Sequence, residues 1–257
     1  MTASIDVTRV DEVAEVVINQ PARRNAISAA MWERLAGLAG DQAVADARCI
    51  VVRGAGETFS AGADIAGFED RRQGNDATSY DDLVEHAVRM VERLPMPTIA
   101  AIAGPCIGAG ASLALACDLR VAEEGAFFAV PAARLGLGYD PRGISRFRRI
   151  LGEVATRELL YTAGRLPSER AFALGAVSRL VAPGEGHATA SALARTVAAN
   201  APLTVRAAKR ALADLAEHAS KTSPEATDMA RIADRSADYA EGRAAFAEKR
   251  PPRFSGC

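Results

Sequence analysis

The longest apolar run in the chain, Thr98 to Ala116, is broken by Gly104, Pro105, Gly108 and Gly110. A membrane-spanning helix would hardly tolerate glycine and proline at that density, since breaks in the helix strand backbone polar groups in hydrocarbon. The run instead reads as a buried strand over Thr98 to Ala103, then a glycine turn over Gly104 to Gly110 that leads into a short helix through Ala116. A chain of 257 residues with 49% hydrophobic content can bury a core around such elements as one large domain, or as one domain with a short appendage.

The same cadence recurs along the chain. Ala14 to Ile18 is a β-branched run closed by Asn19, Gln20 and Pro21, a strand ending in a turn. Ser28 is placed to cap a helix whose Met31, Leu35 and Leu38 share one face. Cys49 to Val52 is a second buried strand, ended by Gly54 and Gly56, and the polar stretch Glu69 to Ser79 reads as a mobile surface loop. Leu83, Val84, Ala87, Val88, Met90 and Val91 mark a helix that Pro95 and Pro97 terminate, and Asp118 to Ala122 resumes extended structure. Strand, glycine turn and helix in succession predict an α/β spiral of repeated strand, strand and helix units. Beyond Arg142 the pattern turns helical, over Glu153 to Thr162, Ser168 to Leu174, Ala188 to Asn200, Leu203 to His218 and Pro224 to Lys249, with strands nearly absent. The expected division is a core over residues 1–195 and a C-terminal helical region over 196–257.

Charge narrows the partners. With 31 basic against 32 acidic residues the net charge is -1, so no electrostatic drive toward nucleic acid or an anionic membrane is present. Met1 to Val10 carries Asp6 and Arg9 and lacks a basic segment followed by an apolar one, so no signal peptide is expected and a cytoplasmic location is the default. Cys49, Cys106, Cys117 and Cys257 show no CxxC spacing and read as small buried thiols. His86, His187 and His218 lack metal-ligand spacing, so no metal is expected, and no cofactor either.

Two small-residue corners carry the chemical interest. Phe59-Ser-Ala-Gly-Ala-Asp-Ile65 and Ile107-Gly-Ala-Gly-Ala-Ser112 each follow a strand, and the second opens a helix whose first N–H groups lack internal partners. Two backbone donors aimed at one carbonyl oxygen would stabilise the enolate formed when a thioester loses a proton, or a carboxylate, at its α-carbon. The rival reading is tight turns that serve close packing alone. Neither corner is a phosphate-binding loop: GxxxxGK[ST] is missing, and Gly108-Ala-Gly110 has no third glycine to complete a dinucleotide fingerprint.

The chain resembles the crotonase (enoyl-CoA hydratase/isomerase) superfamily over nearly its full length. The matching segments are Asn19-Gln-Pro-Ala-Arg-Arg-Asn-Ala-Ile27, the two corners, Cys117-Asp-Leu-Arg120, Pro167-Ser-Glu169 with Ala173-Leu-Gly-Ala-Val177, and Phe246-Ala-Glu-Lys-Arg250. The resemblance implies a spiral of ββα turns, a C-terminal helical region that shapes the acyl site, and assembly as homotrimers or homohexamers. It implies an acyl-CoA substrate, coenzyme A being part of that substrate. By motif, the oxyanion N–H groups fall to Ala63 and Ala109. Arg23 and Arg24 match the turn along the CoA moiety, Ala61, Asp64 and Ile65 the segment around the adenine, Lys249 a basic residue near CoA phosphate, and Phe246 a residue closing the acyl site.

Where hydratases of this family hold two glutamates, the chain has Ser112 and Ala132. Alanine cannot exchange a proton and an unassisted serine is a poor substitute, so ordinary hydration is expected to be crippled. In Leu137-Gly-Tyr-Asp-Pro-Arg-Gly143, Asp140 matches a position where some isomerases and a dehalogenase of the superfamily carry a working aspartate. Tyr139 matches a tyrosine that certain decarboxylases place near the substrate carboxylate, and Arg142 is a candidate to bind such a carboxylate or to pair with Asp140. Asp-Pro also suits a plain turn. The readings are enolate chemistry of isomerase or lyase type through Ala63, Ala109 and Asp140, a malonyl-type decarboxylase using Tyr139 and Arg142, or a non-catalytic acyl-CoA-binding subunit.

Overall fold

The computed structural model describes residues 3–64, 76–218 and 224–257. Its strands are β1 (Ser4–Val10), β2 (Val13–Asn19), β3 (Cys49–Gly54), β4 (Thr98–Ile102), β5 (Pro105–Ile107), β6 (Leu119–Glu123), β7 (Phe127–Ala129), β8 (Arg165–Pro167) and β9 (Arg179–Val181). Its helices are α1 (Ala29–Ala36), α2 (Gln42–Ala45), α3 (Asp76–Glu92), α4 (Ala109–Ala116), α5 (Ala132–Leu135), α6 (Pro141–Leu151), α7 (Glu153–Thr162), α8 (Ser168–Ala173), α9 (Gly186–Ala198), α10 (Pro202–His218), α11 (Pro224–Asp234) and α12 (Ala237–Glu248).

A large sheet runs β1-β2-β3-β4-β6-β9, antiparallel only at β1 and β2, and a small sheet runs β5-β7-β8. The chain leaves the large sheet at the end of β4, pairs in the small one as β5, and turns into α4; it then repeats the move through β6, β7 and α5. This is the repeated strand, strand and helix unit expected from the sequence. The unbroken apolar runs of β3 and β4 follow from burial on both faces. Ile50, Val52, Ala100 and Ile102 join the main core with α1, α3 and α4, whereas Cys49, Val51, Ile99 and Ala101 alternate to the other face and pack against Ala190, Ala194 and Ala198 of α9. Residues 195 and 196, where the sequence places the passage to the helical region, both lie inside α9.

Several expectations are corrected. Within the expected glycine turn lies β5, a three-residue strand too short to show alternation. Of the loop expected over Glu69 to Ser79, residues 69–75 lie outside the described residues and 76–79 already belong to α3. The Asp140-Pro141 pair is not a free-standing turn. It starts α6, with the Asp140 side chain accepting from Arg142 N and proline at the first helical position. The helix expected over Pro224 to Lys249 is split, because the Ser236 hydroxyl accepts from Tyr239 N and starts α12 afresh. β8 and β9 stand in the region expected to be nearly strand-free. Cys49, Cys106 and Cys117 are buried as expected, and Cys257 is exposed.

The turn after β2 is held by one side chain. Asn25 is fully buried in the left-handed region at φ 55°, accepts from Gln20 N (3.0 Å) and donates to Ala55 O (2.9 Å) and Thr58 O (2.6 Å). It thereby ties the turn to the segment leaving β3. Gly54 makes the approach possible, since a methyl group there would stand 2.0 Å from Thr58 O and 2.6 Å from Asn25 Nδ2. Asn25→Ala is expected to lower unfolding stability by about 3 kcal/mol, the cost of three orphaned backbone groups plus a left-handed alanine, measured by denaturant titration.

Candidate active site

The two small-residue corners meet. Ser60 N donates to Pro105 O (3.1 Å) and Ile107 N donates to Ser60 O (2.9 Å), a parallel bridge that joins the first corner to β5. The Ser60 hydroxyl, fully buried, donates to Asn25 O (2.8 Å) and accepts from Gly62 N (3.1 Å). Contact this close demands glycine. A methyl group on Gly110 would lie 2.6 Å from Ser60 Cβ, and one on Gly62 would lie 2.7 Å from Ile107 O and 3.6 Å from Ala109 N.

Two amides flank this packing. Ile27 N donates to Gly62 O and Asp64 N donates to Ile27 O, a parallel bridge that engages the residues either side of Ala63 and turns the Ala63 N–H away from it. Ala109 is the first residue of α4, where no intrahelical acceptor exists for its N–H. Neither N–H has a hydrogen-bond acceptor among the described residues. At its far end α4 is anchored by buried Arg120, which donates to Cys117 O (2.6 Å), Ala114 O (3.4 Å) and Ala176 O.

Ala61, Gly62 and Ala63 from the first corner and Ile107, Gly108, Ala109 and Ser112 from the second line a cavity of about 130 Å³. Leu135, Leu137 and Val84 supply apolar wall, and Tyr139 and Asp140 come from the segment that enters α6. Asp140 is bound by its own helix. Its carboxylate meets Arg142 Nε at 3.0 and 2.9 Å as well as Arg142 N, and these bonds hold it below the usual carboxylate range. Arg142 extends the link to Asp82 of α3 (2.7 Å). Tyr139 donates to Gly108 O (3.2 Å), packs edge-on to Phe147 with ring centres 5.9 Å apart, and has its phenol pKa raised by burial.

The cavity also contains groups that the sequence reading missed. Glu85 of α3 lines it, nearly buried, in a two-pronged pair with buried Arg146 (2.9 and 3.1 Å). Arg146 also donates to the Ser112 hydroxyl (3.0 Å) and to Glu92 (3.3 Å). The available signal was Glu85 and Glu92 two turns apart on a helix read only for its apolar residues. Among the residues matched to coenzyme A, Ala61 lines the cavity, Arg23 pairs with Asp64 at 2.5 Å, and Arg24 and Lys249 are exposed and outside its lining. Ile65 and the side chain of Phe246 lie outside the described residues.

A family model described as Enoyl-CoA hydratase/isomerase matches residues 8–256. The chain belongs to the enoyl-CoA hydratase/isomerase family. It is 36% identical over 256 residues to the probable enoyl-CoA hydratase echA6 of Mycobacterium leprae, covering 98% of this chain and 99% of that one. It is 31% identical over 257 residues to the methylmalonyl-CoA decarboxylase of Escherichia coli, covering 98% of each. Its fold matches an enoyl-CoA hydratase/isomerase family protein of Hyphomonas neptunium with a TM-score of 0.92 at 36% identity and 98% coverage of both chains. The α/β spiral of the enoyl-CoA hydratase/isomerase family is thus the architecture of this chain, and no helix among the described residues is long and apolar enough to cross a membrane.

If the free Ala109 N–H is an oxyanion donor, Ala109→Pro removes it at the one helical position that tolerates proline. Turnover of a productive acyl-CoA should then fall about a hundredfold to a thousandfold while circular dichroism stays unchanged.

Proposed function

We propose that this member of the family acts on acyl-CoA thioesters through an enolate, holding the thioester carbonyl oxygen between the N–H groups of Ala63 and Ala109, in isomerase-type or lyase-type chemistry. The observation that carries the reading is a pair of amides, on touching corners at the cavity, that have no acceptor among the described residues. Charge that develops on the thioester oxygen would meet fixed donors in a largely apolar cleft, where they need no reorganisation. Coenzyme A would enter along the Arg23, Arg24, Ala61 and Asp64 turn, with Lys249 as a contact for phosphate.

Asp140 is the proposed proton-transfer group. Its lowered pKa keeps it a carboxylate at neutral pH, so it is ready to accept a proton but weak in driving the transfer; the oxyanion pair must then supply most of the stabilisation. A second reading, decarboxylation of a malonyl-type thioester, is favoured by the arginine pairing of Asp140 and Glu85, because departure of carbon dioxide needs no free base. It takes second place because Arg142, the group expected to meet a substrate carboxylate, is already engaged by Asp140 and Asp82.

A mass-spectrometric screen with enoyl-, malonyl- and aryl-CoA thioesters separates these routes by product. Loss of carbon dioxide from a malonyl thioester would replace the first reading by the second, and binding with no turnover of any thioester would replace both. Crotonyl-CoA should be hydrated far more slowly than by a relative with both glutamates, since Ser112 and Ala132 stand at those positions. Robust hydration would contradict this.

Asp140→Asn keeps the cap on α6, because asparagine also caps helices. Turnover and solvent-deuterium incorporation at the α-carbon should drop about a hundredfold with acyl-CoA affinity retained. Undiminished exchange would remove Asp140 as the base.

A further inference from the structure

The peptide unit that bears the Ala109 N–H has Gly108 C=O at its other end, and that oxygen is unusually well supplied with donors. Ser112 N reaches it at 3.0 Å as the first bond of α4, and the Tyr139 hydroxyl reaches it at 3.2 Å from a different part of the chain. The ring of Tyr139 is seated for this contact. Phe147 meets it edge-on, and Gly143 lies so close that a methyl group there would stand 3.0 Å from Tyr139 Cε1. Burial raises the phenol pKa, so the group stays a protonated donor across the working pH range.

A hydrogen bond to an amide oxygen draws electron density toward that oxygen and leaves the N–H of the same peptide a stronger donor; hydrogen bonds in series polarise one another. We propose that Tyr139 is a positioning residue of the oxyanion site, acting through the Gly108 carbonyl to fix and polarise the peptide whose N–H is that of Ala109. The proposal rests on the thioester reading above. It differs from a direct role at a substrate carboxylate, because the phenol proton is directed at Gly108 O.

Butyryl-CoA labelled with 13C at the thioester carbonyl tests it, since this acyl group carries no carboxylate. Binding to the unaltered protein should lower the carbonyl stretching frequency relative to free butyryl-CoA. In Tyr139→Phe, which keeps the ring against Phe147 and Gly143, the band should move back toward the free value. Deuterium exchange at the α-carbon should slow about fivefold to tenfold, and Kd should stay within about twofold, because charge on the oxygen is larger in the enolate than in the ground state. Difluorotyrosine at position 139, a stronger donor of nearly the same shape, should move the band the opposite way, and it serves equally if the phenylalanine variant does not fold.

An unmoved band in both variants would overturn the proposal while leaving the oxyanion reading in place. So would a loss of affinity that matches the loss of exchange, which is the mark of a packing role. An effect confined to malonyl-CoA and missing with butyryl-CoA would also overturn it, by assigning the phenol to the substrate carboxylate. If the unaltered protein fails to bind butyryl-CoA or leaves its carbonyl band unshifted, the thioester reading itself falls and takes the proposal with it.

Discussion

Ser60 and Gly110 sit at a separation that no larger pair of residues could share, and much of the molecule is arranged around that contact. The bridge from Ser60 to Pro105 and Ile107 draws the segment after β3 against the start of α4, and a methyl group at Gly110 would collide with Ser60 Cβ at 2.6 Å. Because the bridge is between main chains and Gly110 adds no side chain to it, the two corners that carry Ala63 and Ala109 are joined without relying on flexible side chains. Asn25 and the Ser60 hydroxyl extend the same rigidity to the turn after β2. The proposed donor pair would gain precision from this, since main-chain groups locked by packing lose no further freedom when a ligand arrives.

Around that pair of corners, the largely apolar cavity wall is crossed by a buried ion pair. Glu85 and Arg146 are both nearly buried and satisfy one another in two-pronged geometry, with Ser112 and Glu92 taking further bonds. Such a pair contributes little net stability once desolvation is counted, although removing one partner would leave the other as a costly buried charge. Its visible effect is on placement. Arg146 fastens α6 to α3 and α4, and Arg142 repeats the link at the cavity edge through Asp82, so the segment carrying Tyr139 and Asp140 is held against the corners by charge as well as by Phe147.

The strands and helices legible from the sequence are those long enough to show an apolar run or a period. β3 and β4 are apolar on both faces, and α3 and α10 are long enough for helical periodicity to show. β5, β7 and β8 escaped because a three-residue strand has no period. α6 escaped because Asp-Pro before a glycine is written the same way for a turn and for a helix start; only the buried faces of Arg146, Phe147 and Leu151 distinguish them. A buried arginine is the last residue a hydrophobic pattern would assign to a core.

The sequence by itself determined the family, the alternation of strands, glycine turns and helices, and the two corners whose small residues permit close backbone approach. Those properties are local: they depend on which residues lack a Cβ or carry a β-branch, and they can be read one segment at a time. The tertiary structure decided which polar groups share the cavity. Glu85, Ser112 and Arg146 belong to three separate helices, and Tyr139 reaches Gly108 across more than a turn of the spiral. Whether an acid stands free or is held by an arginine depends on distances between elements far apart in the chain, and no pattern along the sequence encodes those distances until the elements are packed.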